Sequence, residues 1–229
     1  MNNKKIAIFD IDGTIFRSSL LIELVELLVS EGLFPESAKD EYVDAYKKWF
    51  NRSGSYEDYI SGVILAFEKN IKGINYDVFV EASRQVVELN KNRVYRYTRD
   101  LVKKLKSEEY YLIAISHSPK ELVQDFCQSL GFDKVYGWVY ENKEGFLTGK
   151  SLHLDLISNK SKILDRIIKK EGLKLKDSIG VGDSDGDISF LSLVDNPICF
   201  NPNGKLYKEA KKKSWPIVVE RKDVIYENL

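Results

Sequence analysis

The pattern that most limits this chain's fold is an apolar run ending in acidic residues, and it occurs twice. Ile6-Ala7-Ile8-Phe9 runs into Asp10-Ile11-Asp12-Gly13-Thr14. Ser178-Ile179-Gly180-Val181 runs into Gly182-Asp183-Ser184-Asp185-Gly186-Asp187. A short apolar run bounded by turn residues reads as a buried strand, so each cluster puts carboxylates where a buried strand ends. Two such clusters held together make a site for a hard divalent cation. Magnesium takes oxygen ligands in octahedral geometry at about 2.0–2.1 Å and suits phosphate chemistry.

Further β-rich runs at 111–116, 196–200 and 216–219 join those at 5–10 and 178–182. Helix-like stretches at 96–108, 119–130, 160–171, 187–194 and 203–213 separate most neighbours. This alternation predicts an α/β fold, a Rossmann-like parallel sheet covered on both faces. Ligands in such sheets bind beyond the carboxyl ends of the strands. Asp10, Ser116 and Asp183 all fall there, so clusters distant in sequence can meet.

Residues 17–93 break the alternation. Leu20, Leu21, Leu24, Leu27 and Leu28 lie at helical spacing, as do Tyr42, Tyr46, Trp49 and Phe50, and Tyr59, Val63 and Phe67. Helices without intervening strands predict an inserted α-helical cap over 17–93, with 1–16 and 94–229 forming the α/β core. The Tyr42–Phe50 stripe reads as the cap's own packing face or as a substrate wall. Residues 135–149 read as a β-hairpin turning at Asn142-Lys143-Glu144-Gly145.

Composition narrows the partners. Lys+Arg and Asp+Glu are both 35 among 229 residues, and no basic arm is present. Nucleic acid is therefore not an expected partner. No apolar segment reaches the length of a membrane span, so no membrane partner is expected. The run before Asp10 is too short for a signal-peptide core. Cys127 and Cys199 have no metal-ligand spacing and read as reduced cysteines of a cytoplasmic protein.

The constellation resembles the haloacid dehalogenase superfamily, in the branch of phosphoserine phosphatase-like hydrolases. Asp10-Ile11-Asp12-Gly13-Thr14, Ser116, Lys160, and Gly182-Asp183 with Asp187 carry the resemblance. Asn201-Pro202, Leu206, Ala210 and Trp215-Pro216 also look like that branch. It implies a magnesium-dependent phosphatase acting on a small phosphorylated metabolite. Phosphoryl transfer to another acceptor, or a regulatory module without turnover, are the alternatives.

The resemblance implies that Asp10 is the nucleophile, forming an aspartyl-phosphate. Asp12 would be the general acid, a role that needs a proton on one of two close carboxyls; alone, it also suits a turn. Asp10, Asp183 and the backbone carbonyl of Asp12 would hold the metal. Asp187 would bind it through water or orient Lys160, although acidic residues also favour a helix start. Lys160 stands in the first turn of a helix, where a cation opposes the dipole. Its ammonium would neutralise phosphate. Ser116 and the His117 backbone N–H would hold phosphate beside the next helix, which Ser118-Pro119-Lys120-Glu121 would start with a capping box. One departure stands out. The branch usually carries Glu nine residues after the nucleophile, where Ser19 stands here, with Arg17 nearby either to greet an anionic group or simply solvated.

Overall fold

A computed structural model describes residues 4–153 and 159–227. The chain divides into two compact units. The first comprises residues through Ser18, Lys91–Trp138 and those from His153 onward; the second comprises Ser19–Asn90 and Val139–Leu152.

The first unit is built on β1 (Ile6–Phe9), β2 (Tyr111–Pro119), the first half of β3 (Lys134–Lys143), β5 (Ile179–Gly182), β6 (Asn196–Phe200), β7 (Ile217–Arg221) and β8 (Val224–Glu227). They lie in the order β3-β2-β1-β5-β6-β7-β8. All pairs are parallel except β7 with β8. β1 is central and buried at all four positions, as a strand covered on both faces must be. Its neighbours pair Ile8 with Ile113 on one side and Gly180 on the other. That register brings the ends of β1, β2 and β5 to one edge.

Helices α5 (Arg96–Ser107), α6 (Lys120–Ser129), α7 (Lys160–Glu171), α8 (Ile188–Leu191) and α9 (Gly204–Lys213) complete the unit. Ile6, Ile8, Ile113 and Ile115 pack with Ile163, Leu164, Ile167, Phe190, Leu191, Leu206 and Ala210 in one core. Edge-to-face rings, Phe9 on Phe132 at 5.7 Å and Phe16 on Phe126 at 5.8 Å, fill another part of the interior. The Asn159 side chain caps α7 by accepting from Ser161 N–H at 3.0 Å, and Gly172 ends it in the left-handed region at φ 64°.

The second unit holds α1 (Leu20–Ser30), α2 (Val43–Phe50), α3 (Tyr56–Asn70) and α4 (Tyr76–Asn90), with the rest of β3 and β4 (Phe146–Leu152). Phe67 is its hub, ringed by Phe34 at 6.1 Å, Phe79 at 6.2 Å and Tyr140 at 5.4 Å. The hairpin turns on Glu144 and Gly145 alone, at φ 52° and 83°. Two consecutive positive φ values are those of a type I′ turn. Residues 139–152, which the sequence division leaves with the α/β core, cluster with the helices instead. Gly73 N–H and Tyr76 N–H tie that segment down through Leu147 and Gly145 carbonyls, each at 2.8 Å. The aromatic stripe splits: Tyr42 is buried and donates to Glu26 at 2.7 Å, whereas Tyr46 and Phe50 are exposed.

Three sequence expectations shift. β8 has too short a run, four residues, to register as a strand. The helix expected at 187–194 is a 3-10 turn, Asp185–Asp187, followed by one helical turn. β2 continues through Pro119, which pairs with Trp138, so α6 starts at Lys120 and Ser118 does not cap it.

Candidate active site

The loop after β1 is shaped by its own backbone. Ile15 and Phe16 N–H both donate to the Ile11 carbonyl at 2.9 Å, and Gly13 N–H donates to the carbonyls of Phe16 and Ser18 at 3.0 and 2.9 Å. Gly13 sits at φ +85°, and a Cβ there would meet Asp183 Oδ2 at 2.2 Å. Glycine is therefore required both by the turn and by the second acidic cluster packed against it. Thr14 Oγ1 donates to Asp183 Oδ1 at 3.2 Å, a direct link between the clusters.

Lys160 and Asp187 form the floor. The Lys160 ammonium is 3% exposed and donates to Asp10 Oδ1 at 2.5 Å and to Asp187 Oδ1 at 2.6 Å. Asp187 Oδ2 accepts from the backbone N–H groups of Asp183 and Ser184 at 3.0 and 2.9 Å. Both Asp187 oxygens are thus occupied by the protein. Asp10 differs: its Oδ2 is buried and has no hydrogen-bond partner. A buried carboxylate oxygen left without a donor is costly.

The charges respond to this crowding. Burial pushes the Asp10 carboxyl up to about 7, with Asp187 and Asp12 adding to it and Lys160 opposing. Burial, then the Asp10 charge, holds Asp183 well above the usual carboxylate range. Burial works against the Lys160 ammonium, but Asp10 and Asp187 outweigh it and raise its pKa. Oxygens of Asp10, Asp183 and Asp187 lie within 4.8 Å of one another. The hard oxygen donors and the surplus of clustered carboxylates fit a divalent cation. Asp10 and Asp183 could hold it, while Asp187 is already bonded to Lys160 and to backbone N–H groups.

Asp12 is held from another strand. Its Oδ2 accepts from Ser116 Oγ at 2.7 Å and Ser118 Oγ at 2.8 Å, while Ser116 Oγ accepts from Ser118 N–H at 2.9 Å. The expected capping role of Ser118 is thereby corrected: its hydroxyl is spent on a carboxylate. Residues two apart on a strand share a face, so a strand drawn through Pro119 puts Ser118 beside Ser116. Sequence reasoning missed this because Ser-Pro is a strong helix-start signal. It also gave no role to Thr14, or to Asn203, whose N–H donates to the Asp183 carbonyl at 2.7 Å.

The two peripheral candidates are exposed. His117 presents its ring edge-on to Trp138, with centroids 6.1 Å apart. Its Cε1 lies 4.0 Å from where a Cβ on Gly186 would be. The Arg17 guanidinium lies 5.9 Å from the centroid of the Tyr95 ring.

Comparison with known proteins bears on this arrangement. Residues 7–192 match the family of haloacid dehalogenase-like hydrolases. A phosphoserine phosphatase of Methanocaldococcus jannaschii is 26% identical over 223 residues, covering 96% of this chain and 94% of the relative. A histidinol-phosphatase of Neisseria meningitidis serogroup C is 25% identical over 229 residues, covering 94% and 98%. A solved phosphoserine phosphatase, as a phospho-aspartyl intermediate analogue, superposes with a TM-score of 0.63 at 24% identity, covering 97% and 96%. That likeness shows the fold.

Proposed function

Because the chain belongs to the haloacid dehalogenase-like hydrolases, we propose that it is a magnesium-dependent phosphatase cleaving a small phosphomonoester through an aspartyl-phosphate on Asp10. The observation that carries this reading is the unequal treatment of the Asp10 oxygens. Oδ1 is fixed by Lys160, while Oδ2 has no donor and would be the oxygen that attacks phosphorus. A carboxylate is a weak nucleophile, so alignment and charge neutralisation must supply the rate.

Asp10 and Asp183, with the Asp12 backbone carbonyl, would hold magnesium, which when bound would neutralise phosphate oxygens. The Lys160 ammonium adds a fixed positive charge beside Asp10. Ser116 and the N–H of His117 would cradle the phosphoryl oxygens, with Ser116 shared between phosphate and Asp12.

In the first half-reaction Asp10 Oδ2 bonds to phosphorus as the ester P–O bond breaks. Asp12 gives its proton to the departing alkoxide. In the second, Asp12 takes a proton from water as the water oxygen bonds to phosphorus, and the Asp10–phosphorus bond breaks to release inorganic phosphate. Ser116 and Ser118 support both halves by holding Asp12 Oδ2, which orients the carboxyl for proton transfer.

The names of the two relatives, a phosphoserine and a histidinol phosphatase, favour small phosphorylated alcohols as substrates. A reducing, cytoplasmic setting suits Cys127 and Cys199, both buried and free. The test is multiple-turnover phosphate release from a panel of phosphorylated metabolites. Release that requires magnesium and is absent in Asp10→Asn is the expected result. Undiminished release in excess EDTA, or by Asp10→Asn, would overturn the mechanism.

A further inference from the structure

Thr98 lies in the first turn of α5, and its hydroxyl proton leaves the helix. It goes to the Thr14 carbonyl, 84 residues away, at 2.8 Å. Both residues are fully buried, so water does not compete for the bond. The helix gives Thr98 a fixed base. Tyr95 offers α5 no side-chain cap; the Glu220 carboxylate does that work, accepting from Arg96 and Tyr97 N–H at 3.1 and 2.8 Å. The segment leading into α5 is laced to the loop after β1. Arg17 N–H donates to the Arg93 carbonyl at 2.9 Å, and Tyr95 N–H to the Ile15 carbonyl at 3.0 Å.

Thr14 depends on that hold. Its own N–H reaches the Ile11 carbonyl only at 3.3 Å, beyond the usual range of an N–H···O bond. The 2.8 Å bond to its carbonyl is the tighter one. From the same residue, Oγ1 donates to Asp183 Oδ1 at 3.2 Å, long for a hydroxyl, so a small shift of Thr14 would break that contact. Asp183 belongs to the carboxylate cluster that fits a divalent cation.

Resting on the magnesium reading above, we propose that Thr98 is a positioning residue for the ion: by holding the Thr14 carbonyl it aims the Thr14 hydroxyl, which orients the Asp183 carboxylate. Thr98 itself touches neither ion nor substrate.

Magnesium binding to the metal-free proteins, followed by calorimetry, tests this without turnover. Thr98→Val keeps the branched shape and removes the donor; Thr98→Ser keeps the donor. Thr98→Val is expected to raise the dissociation constant about three- to tenfold, less than the roughly 10–100-fold lost with a direct partner of a metal ligand. Thr98→Ser should stay within about twofold of wild type, and Thr14→Val should lose at least as much as Thr98→Val. In the Thr14→Val background Thr98→Val should add nothing, because the bond it protects is already gone. Val102→Ala opens a cavity in the same helix; it should lower the melting temperature and leave the constant within about twofold. An unchanged constant in Thr98→Val or in Thr14→Val, additive losses in the double variant, or a loss in Thr98→Ser or Val102→Ala equal to that in Thr98→Val overturns the proposal. Should Thr98→Val not fold, Thr14→Val and Thr98→Ser decide it by the same criteria. A wild type that binds no magnesium overturns the magnesium reading as well, whereas binding that ignores Thr98 overturns this proposal alone.

Discussion

Lys160→Met tests how the buried charges are held. Met keeps the volume and the apolar stem but removes the ammonium that serves Asp10 and Asp187 at 2.5 and 2.6 Å. Both partners are buried, with side-chain exposures of 7% and 0%, so water cannot replace the lost donor. Removing one partner of a buried pair costs about 3–5 kcal/mol, because the other charge is left uncompensated. The loss should depend on pH. The Asp10 carboxyl, already pushed up to about 7, moves higher still without its cation. At pH 5.5 it is then neutral and the deletion is partly forgiven; at pH 8 the wild type holds it charged against Lys160, whereas the variant must either bury it unpaired or hold its proton against the solvent, and the larger cost is felt. Urea unfolding of the metal-free wild type and variant at both pH values reads the difference. A loss below about 1 kcal/mol at pH 8, or equal losses at the two pH values, would refute the reasoning.

Asp10→Asn should abolish phosphate release while retaining the fold, as followed by circular dichroism and a phosphate assay. Ser118→Ala should lower kcat by roughly tenfold with little change in KM, a fraction of the 10²–10⁴ typical of a whole acid–base group; an unchanged kcat would return Ser118 to a structural role. The metal-free wild type should lose thermal stability as pH rises from 5 to 8. The folded Asp10 binds its proton more tightly than the unfolded chain, so its contribution is complete below about pH 4 and gone above about 7. Magnesium should restore more stability at pH 8 than at pH 5, because binding needs deprotonated carboxylates; a melting temperature that climbs over this range in EDTA contradicts the sign. Phosphoserine should not be the best substrate of a panel of phosphomonoesters, since Ser19 supplies no carboxylate and Glu26 is taken by the Tyr42 hydroxyl; a preference for it of about tenfold or more in kcat/KM would show another ammonium partner.

The residues that were easiest to read were those with one physical job. The β1 and β5 runs are apolar because both their faces are covered, and their acidic ends fall where the parallel sheet stops. Lys160 was legible because a cation in a first helical turn opposes the dipole and because its spacing fits the rest of the motif set. Ser118 was not, because local helix-start chemistry and a contact with Asp12, 106 residues away, compete for one hydroxyl. The same limit hid β8, whose partner β7 supplies what its own short run lacks, and the attachment of Val139–Leu152 to the helices through Gly73 and Tyr76. Nothing in spacing reveals a contact that two distant backbones decide.

The contacts that tie the acidic cluster together span long stretches of chain. Thr14 and Asp183 are 169 residues apart, Asp10 and Lys160 150, and Asp12 and Ser116 104. Closing loops of that size costs entropy that only a largely assembled sheet can offset. The three strand ends therefore come together late, and the carboxylates repel one another until they do. In a refolding experiment, affinity for a divalent ion should arise with the final phase rather than with helix formation. A chain cut before β5 should fold its early helices yet bind no ion, so metal affinity serves as a clock for completion of the α/β unit.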